Sequence, residues 1–119
     1  MDMVIASTGS CRHSYASVSS AADLVAALVC NERKVSKALI FNQSRCRAET
    51  ARARQLAMYL AHVVLGQSLT SIGIAFGRDR TTVSHACALI EDLRDDSVFD
   101  EEVTRLEVML EQAGAKASA

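Results

Sequence analysis

The 119-residue chain has no proline and no tryptophan, and aromatic side chains make up only 4 % of it. Without proline, nothing in the chain obliges a helix to break. No stretch sustains an apolar–polar alternation, so strands are not expected. No apolar run approaches the roughly 20 residues a bilayer-spanning helix needs, so no membrane partner is expected. A P-loop or other glycine-rich phosphate cradle is also missing, which argues against a nucleotide cofactor. The four cysteines, Cys11, Cys30, Cys46 and Cys87, show no C-x-x-C spacing, and no charged-then-apolar leader precedes them. Reduced thiols, a cytoplasmic location and no metal site are the expectation. Cys87 and His85 stand two apart, a spacing that does not face on a helix, so they make no nucleophile pair. With no catalytic constellation left, the chain does not read as an enzyme.

What is present points to helices. Half of the residues are apolar, and Ala, Leu, Arg and Glu are abundant. The expected fold is all-α, a single bundle of about six helices. The net charge of −1 hides a split. Residues 31–80 carry nine basic side chains against three acidic ones, whereas residues 81–119 carry three against nine. A molecule so polarised can turn one positive face to phosphates.

In chain order, residues 1–20 are Ser- and Ala-rich without periodicity and read as a disordered tail. The helical domain is expected over residues 21–112. A first stripe runs through Leu24, Ala27 and Leu28. A short helix from Val35 to Phe41 points Val35, Leu39 and Ile40 inward. A loop, Asn42 to Thr50, carries Arg45 and Arg47, the kind of arginines that enter a groove or clamp a phosphate. The longest helix is expected from Ala51 to Leu65, with Leu56, Tyr59, Leu60, Val63 and Val64 buried. Its first turns hold Arg52, Arg54 and Gln55, cations that oppose the helix dipole unless an anion is the neighbour. A last helix near Val98 to Gln112 turns Val103, Leu106, Met109 and Leu110 inward, and residues 113–119 read as a frayed end.

The stretch from Ser68 to Ile90 organises the rest. Leu69, Ile72, Gly73 and Phe76 share one helical face, and Val83, Ala86, Cys87 and Ile90 share another. Between them Gly77 can take the left-handed conformation that ends a helix, with Ser68 and Asp79 as N-caps. Two short amphipathic helices joined this tightly make a helix-turn-helix. The polar face of the second, Thr81, Thr82, Ser84 and His85, follows Arg78, Asp79 and Arg80, side chains suited to base edges and phosphates in a major groove.

The segments ARARQLAMYLA, SLTSIGIAFG, RDRTTVSHAC and IEDLR resemble the C-terminal DNA-binding domain of the bacterial replication initiator DnaA, over about residues 21–112. That resemblance implies a helix-turn-helix in the major groove and a basic loop in the adjacent minor groove of double-stranded DNA. It implies phosphate contacts from Arg54, Gln55, Ser68, Leu69 and Thr70. Asp79, Arg80, Thr81 and Thr82 would meet base edges or flanking phosphates, with His85 one turn on and Arg45 or Arg47 in the minor groove. The chain departs from the family in three places. It has one glycine, Gly77, before Arg-Asp instead of two. Arg80 replaces the usual His, an exchange that favours guanine. Ala88 and Leu89 replace basic residues. The ATPase module that normally precedes this domain does not occur in the 119 residues. The expectation is a stand-alone, sequence-specific duplex-DNA binder of the nucleoid acting on replication initiation or transcription. The alternative is a module that binds replication-initiation or regulatory proteins.

Overall fold

The computed structural model describes residues 13–41 and 48–118, and every regular element among them is an α-helix. In order they are α1 (His13–Arg33), α2 (Lys37–Ile40), α3 (Ala48–Val63), α4 (Leu69–Phe76), α5 (Arg80–Leu93) and α6 (Ser97–Ser118). The all-α architecture of six helices is the one expected.

Helix α3 is the centre. Ala53, Leu56, Ala57, Met58, Tyr59, Leu60 and Ala61 are all buried in it. A helix apolar around most of its circumference must be covered on several faces, and here α1 and α5 pack against it most extensively. Val25, Val29, Ile40, Ile72, Phe76, Val83, Ile90, Val103, Leu106 and Leu110 complete the core. Each large apolar side chain buried in this way stabilises the fold by about 1.5–3 kcal/mol. Phe41 at the end of α2 stacks on Phe76 at the end of α4, with ring centroids 4.9 Å apart, and so ties the helix-turn-helix to the short helix.

Several boundaries differ from expectation, each for a local reason. Helix α1 begins at His13, eight residues before Ala21. Alanine needs no amphipathic pattern to favour a helix, so a Ser/Ala segment without periodicity can still be helical. Residues 1–12 of the expected tail lie outside the described residues. The buried stripe of α1 is Ala22, Val25, Ala26, Val29 and Cys30, whereas Ala27 is exposed and Leu24 and Leu28 sit at the rim. Nearly every residue from Leu24 to Cys30 is apolar, so periodicity alone fits more than one phase and packing on α3 selects between them.

Helix α2 is shorter than expected, and Leu39 is 43 % exposed where an inward position was expected. Helix α3 starts at Ala48 and ends at Val63, which is half-exposed, and it is shorter than both α1 and α6. Helix α6 runs on to Ser118, through most of the expected frayed end.

Candidate nucleic-acid interface

Helix α4 opens with Ser68, whose Oγ accepts the Ser71 N–H at 3.0 Å. It closes at Gly77, which takes φ 68° and ψ 34°. The Arg78 N–H bonds the Gly73 carbonyl at 2.8 Å and the Gly77 N–H reaches the Ile74 carbonyl at 3.4 Å. That double closure is a Schellman ending, and it turns the chain within three residues. The turn folds so closely over α4 that a Cβ at Gly73 would lie 2.5 Å from the Arg78 carbonyl oxygen. Gly73 was expected only as part of an apolar face. A glycine inside a helical pattern, where alanine would favour the helix more, is the signal in the sequence for a close packing contact there.

Helix α5 then starts on Asp79, whose Oδ1 accepts the Thr82 N–H at 2.7 Å. These bonds from the Thr82 backbone and side chain hold the Asp79 carboxyl below the usual carboxylate range. Val83, Ala86 and Ile90 are buried, and Arg80, Thr81, Thr82, Ser84 and His85 are exposed on the remaining arc. The first two turns of α5 thus present one positive guanidinium and four hydrogen-bonding side chains together.

Beside them lies an open cleft of about 240 Å³ between α3 and α5, where Arg54 and Gln55 meet Arg78, Thr82 and His85. Arg54 is 93 % buried by its surroundings, at 7 % relative exposure. Its Nε donates to the Ile40 carbonyl at 2.7 Å and its Nη2 to the Leu39 carbonyl at 3.1 Å. Carbonyls at a helix C-terminus have no partner within the helix, and Arg54 supplies donors for those of α2. Arg78 is held similarly, its Nη1 lying 3.3 Å from the Phe76 carbonyl and 3.2 Å from that of Gly77. Gln55 accepts from Arg52 Nε at 3.1 Å.

The other expected positions are more scattered. Ser68, Leu69 and Thr70 stand at the opposite end of α4 from the turn, about 12 Å away at the helical rise of 1.5 Å per residue. Ser68 and Thr70 are exposed and Leu69 is half-buried. Arg45 and Arg47 lie outside the described residues.

The far end of α5 is chemically different. Arg94 caps it and gathers carboxylates: Nε to Asp100 Oδ1 at 2.6 Å and Nη1 to Glu107 Oε2 at 2.8 Å. It also donates to the Tyr59 hydroxyl at 3.1 Å and the Thr104 hydroxyl at 3.1 Å. Bonding to Glu107 first, then to Asp100 and Tyr59, drives the guanidinium pKa up despite its partial burial. Tyr59 in turn donates to Glu91 at 2.8 Å, and burial followed by that bond raises its pKa. Arg94 had been counted only as one of three basic residues in an acidic segment.

The charge split along the chain therefore overstates the positive face. Arg33 is bound to Glu102 of α6 at 3.0 Å and Lys37 to Asp23 at 3.5 Å, while Arg105 of α6 pairs with Glu32. Near the helix-turn-helix the described residues include Arg54, Arg78 and Arg80, with Arg52 earlier on α3.

The family model for the bacterial dnaA protein helix-turn-helix matches residues 22–90. The chain is 52 % identical over 58 residues to a chromosomal replication initiator protein DnaA of Acinetobacter baumannii, a match covering 47 % of this chain and 12 % of that protein. The chain thus spans a small part of the length of such relatives. Among solved structures it is similar to a DNA replication initiation factor, with TM-score 0.77 and 29 % identity over 86 % of this chain and 32 % of that one. It is similar also to the replication initiator DnaA bound to AMPPCP and single-stranded DNA, with TM-score 0.73 and 29 % identity over 85 % of this chain and 31 % of that one.

Proposed function

The chain belongs to the family of the bacterial DnaA helix-turn-helix, and from that premise we propose that it binds double-stranded DNA sequence-specifically, regulating replication initiation or transcription. It does so by binding alone, without a chemical step, at the nucleoid in the cytoplasm. The observation that carries this reading is the exposed arc of Arg80, Thr81, Thr82, Ser84 and His85 beside the cleft that holds Arg54 and Gln55. In a helix-turn-helix the second helix enters the major groove and its N-terminal residues meet base edges. Helix α5 presents donors and acceptors there and buries its apolar face against α3 and α4.

Phosphates flank the groove on both sides. The cleft carrying Gln55, Arg54 and Arg78 suits one of them. The other is met by the start of α4, where Ser68, Leu69 and Thr70 offer a hydroxyl and backbone N–H groups at the positive end of the helix dipole. Arg45 or Arg47 would enter the adjacent minor groove.

Fluorescence anisotropy with an initiator-type box and a scrambled duplex, across a salt series, tests the reading. Tight binding to the box that weakens steeply with salt is expected. Failure to bind either duplex at low salt would overturn it and leave a protein-binding module as the surviving account.

A further inference from the structure

The cluster of charged side chains at the head of α5 divides into groups that are held and one that is not. Arg78 leans on the carbonyls of its own turn, Phe76 and Gly77. Asp79 is engaged as the helix cap, with Oδ1 on the Thr82 N–H. Arg54 is buried with its donors on the last carbonyls of α2. Arg80, by contrast, occupies the first helical position of α5, is exposed, and has no hydrogen-bond or ion-pair partner among the described residues.

A long, planar, always-charged donor at the leading end of a helix that enters the major groove has one strongly preferred partner there. Guanine presents O6 and N7 as two adjacent acceptors, which match the two parallel N–H groups of a guanidinium. We propose that Arg80 reads a guanine and is the residue by which this chain chooses its target, and that the turn at Arg78 and the cap at Asp79 position the helix start that carries it. The proposal rests on the duplex-binding reading above. It goes beyond that reading by naming the base and by separating the reader from its supports. Because the supports hold the turn and the cap without using Arg80, the reader can be replaced without disturbing the helix-turn-helix.

The test is selection of bound sequences from randomised duplexes with the full chain, followed by titration of the selected duplex. Wild type is expected to return one invariant G·C pair. Arg80→Ala should make that position degenerate, and it should bind the selected duplex on the order of ten- to a hundredfold more weakly. On a duplex with that guanine replaced, the two proteins should bind alike. The salt slope should stay unchanged, since a base contact releases no counterion. Arg80→Gln should likewise lose the guanine. If Arg80→Ala keeps the wild-type sequence profile, or weakens every duplex equally while lowering the salt slope by about one, Arg80 touches phosphate and the proposal fails although duplex binding stands. If wild type binds no duplex, the functional reading falls first and the assignment of Arg80 falls with it.

Discussion

The two ends of α5 each carry arginine, and they use it in opposite ways. At the C-terminal end Arg94 is enclosed by Asp100, Glu107, Thr104 and the Tyr59 hydroxyl, so its charge is cancelled where it stands. At the N-terminal end Arg80 projects outward, with no carboxylate partner among the described residues. The first arrangement fastens α6 to the body of the fold. The second leaves the positive charge of Arg80 available to an anionic partner. What separates a structural arginine from a presenting one here is therefore whether carboxylates surround it, since the side chain is the same.

The comparison can be broken at each end. The largest effect is expected from Arg94→Ala, which strands Glu107 and Asp100 against one another and removes a donor from Tyr59. A loss of about 3 kcal/mol in chemical denaturation is expected, with unchanged DNA affinity per folded molecule. Weakened DNA binding by a fully folded Arg94→Ala would contradict the division. Next comes Gly73→Ala, whose Cβ meets the Arg78 carbonyl at 2.5 Å. Overpacking of this kind costs about 2 kcal/mol, and here it displaces the turn, so DNA binding should weaken as well. Stability and affinity falling together at Gly73, but separately at Arg94, would sharpen the contrast.

Much of the recognition end was legible in the sequence because its determinants are local. Ser68, Gly77 and Asp79 mark caps by residue type, and Val83, Ala86 and Ile90 share a face by spacing alone. The remaining features depend on residues far apart in sequence. Arg54 looked like a cation at a helix start. Its burial follows from the carbonyls of Leu39 and Ile40, fifteen and fourteen residues earlier, which no spacing rule connects to it. Arg94 looked like a minor charge in an acidic segment until Tyr59, thirty-five residues before it, and Glu107 came together around it. The phase of α1 was hidden for another reason: a run of almost uninterrupted apolar residues carries no phase to read.

A smaller loss is expected for Arg54→Met, which takes the guanidinium donor from the buried Ile40 carbonyl at the end of α2. About 1–2 kcal/mol in a urea titration fits an unmet buried acceptor, and DNA binding should fall with it because α2 loosens beside the cleft. The smallest effect is expected at Asp79. Its folded pKa is lowered by the Thr82 bonds, so its contribution to stability is present above the ordinary carboxylate range and is lost as pH falls through the folded value. Wild type should therefore be more stable than Asp79→Ala at neutral pH, and the gap should close in acid. A gap independent of pH would show that the cap does not act through its charge.

The division of the molecule is tested most directly by amide chemical-shift mapping of the labelled chain as a duplex is titrated in. The account predicts shifts at the start of α4, in the turn from Gly77 to Asp79, over the first two turns of α5 and at the start of α3. It predicts none along α6 or around Arg94. Shifts concentrated on α6 and the C-terminal end of α5, with the turn unmoved, would contradict it.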